Sequence, residues 1–318
     1  MQFERGIAIC CTASMFVLVA GTAIAASYPD KPIRIFASEA GATTDFIARL
    51  IAQGISGPLG QPVIVENRPS DMATEMAARA APDGYTMHLT GGGSWILPLL
   101  QKTPYDPVKD FTPITLVAVA PLVLVVSPVL QIKSVRELID LAKAKPGVLN
   151  WGSPPIGGVG HLAGELFKVM AGVNFVRVPY KGSTAATAAV VAGEVQLQFS
   201  TTESAAPHLQ TGRLTALGVT GTKRYPPLPD LPPIAATVPG YEAVSPTGLW
   251  APAGMPGAAI NRIYEEVLRV VSRPDIKEKL LSSGNEAVGS SPAEFSAFIK
   301  ADMARWSRVI KEENLRLQ

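Results

Sequence analysis

Groups able to do chemistry are sparse in this chain, and they gather in three loops: Ser38 to Asp45, Thr90 to Trp95, and Ser153 to His161. Each is rich in glycine and hydroxyl residues, and each lies where a strand-like segment gives way to a helix-like one. A helix N-terminus offers unpaired backbone N–H groups and a partial positive charge, which favour a carboxylate or a phosphate. The chemistry expected is reversible anion binding. The candidate contacts are Ser38, Glu39, Gly41, Ala42, Thr43, Thr44 and Asp45 in the first loop and Ser94 in the second. Ser153, Gly157, Gly158 and His161 belong to the third, and Thr201 follows a later strand. The competing reading of any one loop is a tight turn that needs glycine. Three such loops in equivalent places favour binding. His161 either donates to a ligand or loop oxygen or is packed structurally; His88 and His208 read as structural.

Catalytic alternatives find little support. Gly158-Val159-Gly160-His161-Leu162-Ala163 fits the G-x-G-x-x-A dinucleotide fingerprint after a strand, but a lone match is weak and no acid lies about 20 residues on. No G-x-S-x-G elbow exists. Ser94 or Ser153 with His161 and Glu39, Asp45 or Glu203 could form a triad, yet nothing in the spacing favours it. The three histidines are far apart and lack metal-ligand spacing. Neither a metal nor a cofactor is expected, and the reading is of a protein that performs no reaction.

Residues 1–26 read as a cleaved export signal. Arg5 lies in a short polar start, Ile7 to Ala20 is an apolar run, and Ala23-Ile24-Ala25 supplies small residues for cleavage. The run is shorter than the roughly 20 apolar residues of a membrane span. Cleavage would remove both cysteines, Cys10 and Cys11, leaving a periplasmic protein that rests on its hydrophobic core. A net charge of +2, with no basic stripe, argues against nucleic acid as a partner.

The elements that must position the loops alternate between strand and helix, as in a parallel α/β sheet. Ile33 to Ala37, Val63 to Val65 and Tyr85 to Leu89 read as strands. Helices are expected from about Asp45 to a stop at Gly57-Pro58, and from Ala73 to Ala81. Leu116 to Val126, with Pro121 inside it, predicts two strands or one bent crossover. Ser134 to Glu137 is a capping box opening a helix. A second alternating set runs from Val148 to about Val219, with strands at Val148 to Trp151, Phe175 to Val178 and Val195 to Phe199. Tyr225 to Pro239 carries six prolines and reads as an extended connector. Ser291-Pro292-Ala293-Glu294 opens a last helix with Phe295, Phe298, Ile299, Met303, Trp306 and Ile310 on one face. Two α/β halves with a chain that crosses out and back follow, and a ligand would lie between them.

The chain resembles the Bug-type solute receptors of tripartite tricarboxylate transporters along essentially its whole mature length. The match includes Tyr28-Pro29-Asp30-Lys31-Pro32-Ile33-Arg34, Leu59-Gly60-Gln61-Pro62-Val63, Val65-Glu66-Asn67-Arg68-Pro69 and Ala81-Pro82-Asp83-Gly84-Tyr85-Thr86. It continues through Pro104-Tyr105-Asp106-Pro107-Val108-Lys109-Asp110-Phe111, His161-Leu162-Ala163-Gly164-Glu165-Leu166-Phe167, Val178-Pro179-Tyr180-Lys181-Gly182 and Leu249-Trp250-Ala251-Pro252-Ala253-Gly254. The resemblance implies a two-lobed Venus-flytrap fold of the type II-like periplasmic kind, with the ligand cleft between the lobes. It implies capture of a small carboxylate and delivery to membrane permease subunits. It places the ligand carboxylate between two loops, here residues 38–45 and 153–161. Two departures bear on the ligand. The first loop lacks the aromatic and second glycine of the pattern P-F-x-P-G-G-x-x-D and carries Glu39, an acid that would repel a second carboxylate or pair with an amine. Ser200-Thr201-Thr202-Glu203 stands where the family often has Asp.

The expected division is residues 27–125 with 249–318 as one lobe and 126–248 as the other, in a monomer. A sensor that docks on a signalling membrane protein, or a secreted hydrolase or isomerase on the same fold, are the alternatives.

Overall fold

A computed structural model describes residues 28–38 and 40–312. The expected signal segment, residues 1–26, and Glu39 lie outside the described residues.

The alternation of strands and helices is realised. The first set is β1 (Ile33–Ala37), α1 (Thr43–Leu59), β2 (Val63–Asn67), α2 (Ser70–Ala78), β3 (Thr86–Gly91) and α3 (Gly93–Leu100). Helix α1 begins two residues before the expected start and runs through Pro58 to a left-handed Gly60 cap. Helix α2 begins at Ser70, three residues ahead of the alanine run, with Asp71 in its first turn.

The apolar stretch around Pro121 belongs to one bent strand, β4 (Phe111–Val126), whose register shifts twice before the proline. After it come α4 (Val135–Ala144), β5 (Asn150–Ser153), α5 (Val159–Ala171), β6 (Val176–Pro179), α6 (Ser183–Ala192), β7 (Leu197–Thr201), α7 (Thr202–Gln210) and β8 (Thr215–Val219). The chain returns through β9 (Val244–Pro252), α8 (Gly257–Val271), α9 (Pro274–Ser282), β10 (Glu286–Ala287) and α10 (Pro292–Glu312). Half of the Ser134 box forms as expected: its hydroxyl accepts from Glu137 N at 3.2 Å, but Glu137 Oε2 accepts from Lys133 N, one residue earlier, at 2.8 Å. Ser134→Ala is expected to cost about 1 kcal/mol, read as a lower urea midpoint at unchanged slope.

Strand β4 serves two sheets. Its first part, to Pro121, pairs antiparallel with β9 in a sheet ordered β2-β1-β3-β9-β4. Its last part, from Leu122, pairs with β7 and β8 in the second sheet, which continues to β5 and β6. Pro121, which has no N–H to donate, stands at the change of sheet. Fully buried Thr220 ties the crossing strands together. Its hydroxyl accepts from Leu122 N at 2.7 Å and donates to the Ala243 carbonyl at 2.5 Å. The chain changes sheet at 121/122 and again between β8 and β9.

The last helix fastens the two halves. Phe295, Ile299, Trp306 and Ile310 of α10 are buried as its periodicity predicts. They join a core that runs from Trp95 and Trp250 to Trp151, Phe167 and Phe199. Trp95 Nε1 donates to buried Asp302 Oδ2 at 2.8 Å, and Arg305 pairs with Glu242 at 2.6 Å.

Candidate ligand-binding cleft

A cavity of about 450 Å³ opens between the two halves. One wall carries Thr44 from the first turn of α1, Ser70, Asp71 and Thr74 from α2, Thr90 from β3, and Gly93 and Ser94 from α3. Tyr105 and the leucines Leu97 and Leu100 close that side, and Ile156 and Gly157, ahead of α5, face it from the second sheet. The N-termini of α1, α2 and α3 and the loop ahead of α5 therefore border one cavity, and first-turn N–H groups have no intrahelical acceptor. Such donors suit a carboxylate held without a cationic side chain. Among the described residues lining the cavity, Asp71 is the only charged one.

The first loop is held by Asp45, which is buried. Its carboxylate accepts from Gly41 N at 2.9 Å, from Asn67 Nδ2 at 2.9 Å and from Arg49 Nε at 2.9 Å. Burial pushes its pKa up, but the hydrogen bonds and the Arg49 charge outweigh that, and the net shift is downward. Asp45 thus stays ionised and shapes the loop. Ser38 Oγ and Thr44 Oγ1 are in direct contact, which closes the base of the same loop. Gly41, Ala42, Thr43 and Asp45 border a neighbouring depression with Arg49, Glu203, Ser283 and Asn285 instead of the cavity itself.

The third loop is built differently from expectation. Ser153 is fully buried; its hydroxyl donates to the Pro154 carbonyl at 2.8 Å and accepts from Arg177 Nε at 3.0 Å. Gly157 has φ +83°, a left-handed conformation that favours glycine, and its N–H donates to His161 Nδ1 at 3.4 Å. His161 is buried against Trp151, their rings nearly parallel with centroids 6.1 Å apart. Burial, with the nearby Arg177 and Lys168 charges, lowers its pKa to about 3. It is neutral at physiological pH, packed as one of the two sequence readings had it, and accepts from the loop at Nδ1. Gly158 caps α5. Thr201 caps α7, accepting from Ser204 N at 3.4 Å, and does not line the cavity.

Of the sequence candidates, Thr44, Ser94 and Gly157 meet at the cavity. Thr90, which opens the second loop, lines it too, and Ser70, Asp71, Thr74 and Tyr105 also line it and escaped sequence reasoning. Placing the second helix at Ala73 hid Ser70 and Asp71. The Pro69-Ser70-Asp71 run, with an acid entering the first turn, is the helix-start signal that could have found them. Among the described residues, no cluster of His, Asp and Glu is placed to hold a metal ion.

The family described as tripartite tricarboxylate transporter family receptor matches residues 47–315. The chain belongs to that family. It is a solute-binding receptor with the two-lobed α/β fold. Protein BugT of Bordetella pertussis is 30% identical to the receptor over 96% of this chain and 97% of its own. A solved R. palustris protein with adipate is 35% identical, with a TM-score of 0.75, over 91% of this chain and 99% of its own. MatC from Rhodopseudomonas palustris, solved with bound malate, is 27% identical, with a TM-score of 0.71, over 89% of the receptor and all of its own chain.

Proposed function

We propose that the receptor is exported to the periplasm by its N-terminal segment, captures a small organic carboxylate in the cleft, and passes it to the membrane subunits of a tripartite transporter. The observation that carries this reading is the cavity bordered by the N-termini of α1, α2 and α3 and by the loop ahead of α5. The adipate and malate carried by the two solved relatives support the ligand class. The acting unit is a monomer. Its lobes, residues 27–125 with 249–318 and residues 126–248, close on the ligand about the crossing strands β4 and β9. Binding shifts the population toward the closed form by as much as the ligand prefers it. Thr44, Ser94 and Gly157 touch the ligand directly, and Ser38, Asp45, Ser153 and His161 hold the loops in place.

The test is a thermal-shift and calorimetric screen of the mature chain against mono-, di- and tricarboxylates. A ligand at 100 times its Kd adds about 2.7 kcal/mol, which raises the unfolding midpoint by roughly 5–10 °C. Thr44→Ala should weaken binding of the best ligand about tenfold, with the unliganded midpoint nearly unchanged. Failure of every carboxylate to bind protein shown to be ligand-free would overturn the reading.

A further inference from the structure

One wall of the cavity carries a chain of side chains whose hydrogens can be placed from the geometry. His88 is buried beneath it. His88 Nδ1 lies 3.1 Å from the Phe36 carbonyl, which can only accept, so Nδ1 carries the hydrogen. Burial lowers the His88 pKa to about 4, so the ring is neutral and Nε2 is an acceptor. Thr74 Oγ1 lies 3.0 Å from Nε2 and 2.8 Å from the Ser70 carbonyl, with one hydrogen to give. Its hydrogen is given to the Ser70 carbonyl, which can accept a second bond beside the helical one, or to Nε2. With either acceptor the Thr74 hydrogen is turned away from Ser94. Ser94 Oγ, 2.9 Å from Thr74, then donates to it, and Thr90 Oγ1, 2.5 Å from Ser94, donates to Ser94.

The hydroxyl hydrogens of Thr90, Ser94 and Thr74 are thus all turned inward, away from the cavity. What Thr90 and Ser94 present outward is lone pairs. Asp71, on the same cavity, adds a carboxylate; one of its oxygens accepts from Met72 N at 2.8 Å, and no ion pair with it occurs among the described residues. Side-chain cations that could meet a second ligand carboxylate are absent from the described lining.

We infer that this wall recognises a hydrogen-bond donor, and that the receptor selects a carboxylate bearing a protonated amine over a dicarboxylate. The inference rests on the cavity being the ligand site. The ligand carboxylate is met by the N-terminus of α1 and the loop ahead of α5, and its ammonium by Asp71 and the Thr90–Ser94 oxygens at the starts of α2 and α3. A second carboxylate in that place would lie against Asp71 and the lone pairs of Thr90 and Ser94, which costs affinity.

The experiment compares ligands of matched length that differ only at the far end: hexanoate, ε-hydroxyhexanoate, ε-aminohexanoate and adipate. The four-carbon series from butanoate to succinate is run beside it. Calorimetry on the wild-type chain should find the amine of at least one series bound about tenfold or more tighter than its dicarboxylate. In Asp71→Asn and in Thr90→Val that preference should shrink to within about threefold, because each removes an acceptor and the former also removes the charge. Circular dichroism confirms that both variants fold. Tighter binding of the dicarboxylates to wild type, or a preference unmoved in both variants, overturns the inference while the carboxylate-receptor reading stands. Absence of binding by these and by the wider carboxylate panel removes both.

Discussion

Alanine in place of Gly248 is expected to destabilise the receptor by about 3 kcal/mol, lowering the unfolding midpoint by roughly 6–10 °C. Gly248 lies in β9, opposite Thr90 of β3 and Leu116 of β4. A Cβ built there would stand 2.0 Å from Cζ of Phe295 and under 3 Å from both ring Cε atoms. Phe295 is fully buried and packs edge-on to Trp95, with centroids 6.0 Å apart, so the ring has no free space to retreat into. Relief requires α10 to lift from the sheet, and that strains the Trp95–Asp302 hydrogen bond. Differential scanning calorimetry measures the loss. Phe295→Leu in the Gly248→Ala background should recover part of it, because the smaller side chain vacates the contested volume, and a double-mutant cycle would show the coupling. Simple additivity of the two substitutions would argue against this packing.

Acid should weaken the fold through His88. Its folded pKa, about 4, lies below the ordinary value of 6.5, the cause being burial, opposed in part by the hydrogen bond to Phe36. Between those values the unfolded chain takes up a proton that the folded chain refuses. The contribution is therefore fully present above pH 6.5 and is lost as pH falls toward 4. By pH 4.5 the loss amounts to about 2.5 kcal/mol relative to pH 7.5. Urea titrations of wild type and His88→Asn at both pH values test this. Asparagine keeps a donor near the Phe36 carbonyl and does not titrate, so the acid-induced loss should be smaller in the variant by about that amount. His161 also titrates below its usual range, but it is common to both proteins and cancels in the comparison. Equal losses in the two proteins would mean that His88 is not held neutral by burial.

Local patterns in the sequence determined the elements. Period-two and helical runs placed the strands β1 to β3 and the helices α1, α4, α5 and α10. The Ser291–Glu294 capping box forms as written, with bonds of 3.2 and 2.8 Å, and Ser134 caps α4 while Glu137 reaches Lys133 N. These features act within one or two turns, so neighbouring residues suffice to specify them. The glycine- and hydroxyl-rich loops were legible for the same reason, and so was the family. Thr44, Ser94 and Gly157 could be named as candidates before any fold was known, because strand-to-helix junctions are local too, and the fold brings the three to one cavity.

Only tertiary structure decided which groups share a cavity and which way they face. Ser153 and His161 belong to the right loop, yet Arg177 and Trp151 draw them into the interior. The hydroxyl chain joins residues from α2, β3 and α3, and Trp95 meets Asp302 across 207 residues of sequence. Thr220 reads as one more threonine after a strand until β4 and the approach to β9 close around it. Such contacts depend on register and on the angle at which helices dock, and neither is encoded in the residues adjacent to the groups involved. The sequence therefore specifies the parts and the strand-to-helix junctions, while the direction of the hydrogen bonds in the cleft is a property of the packed fold.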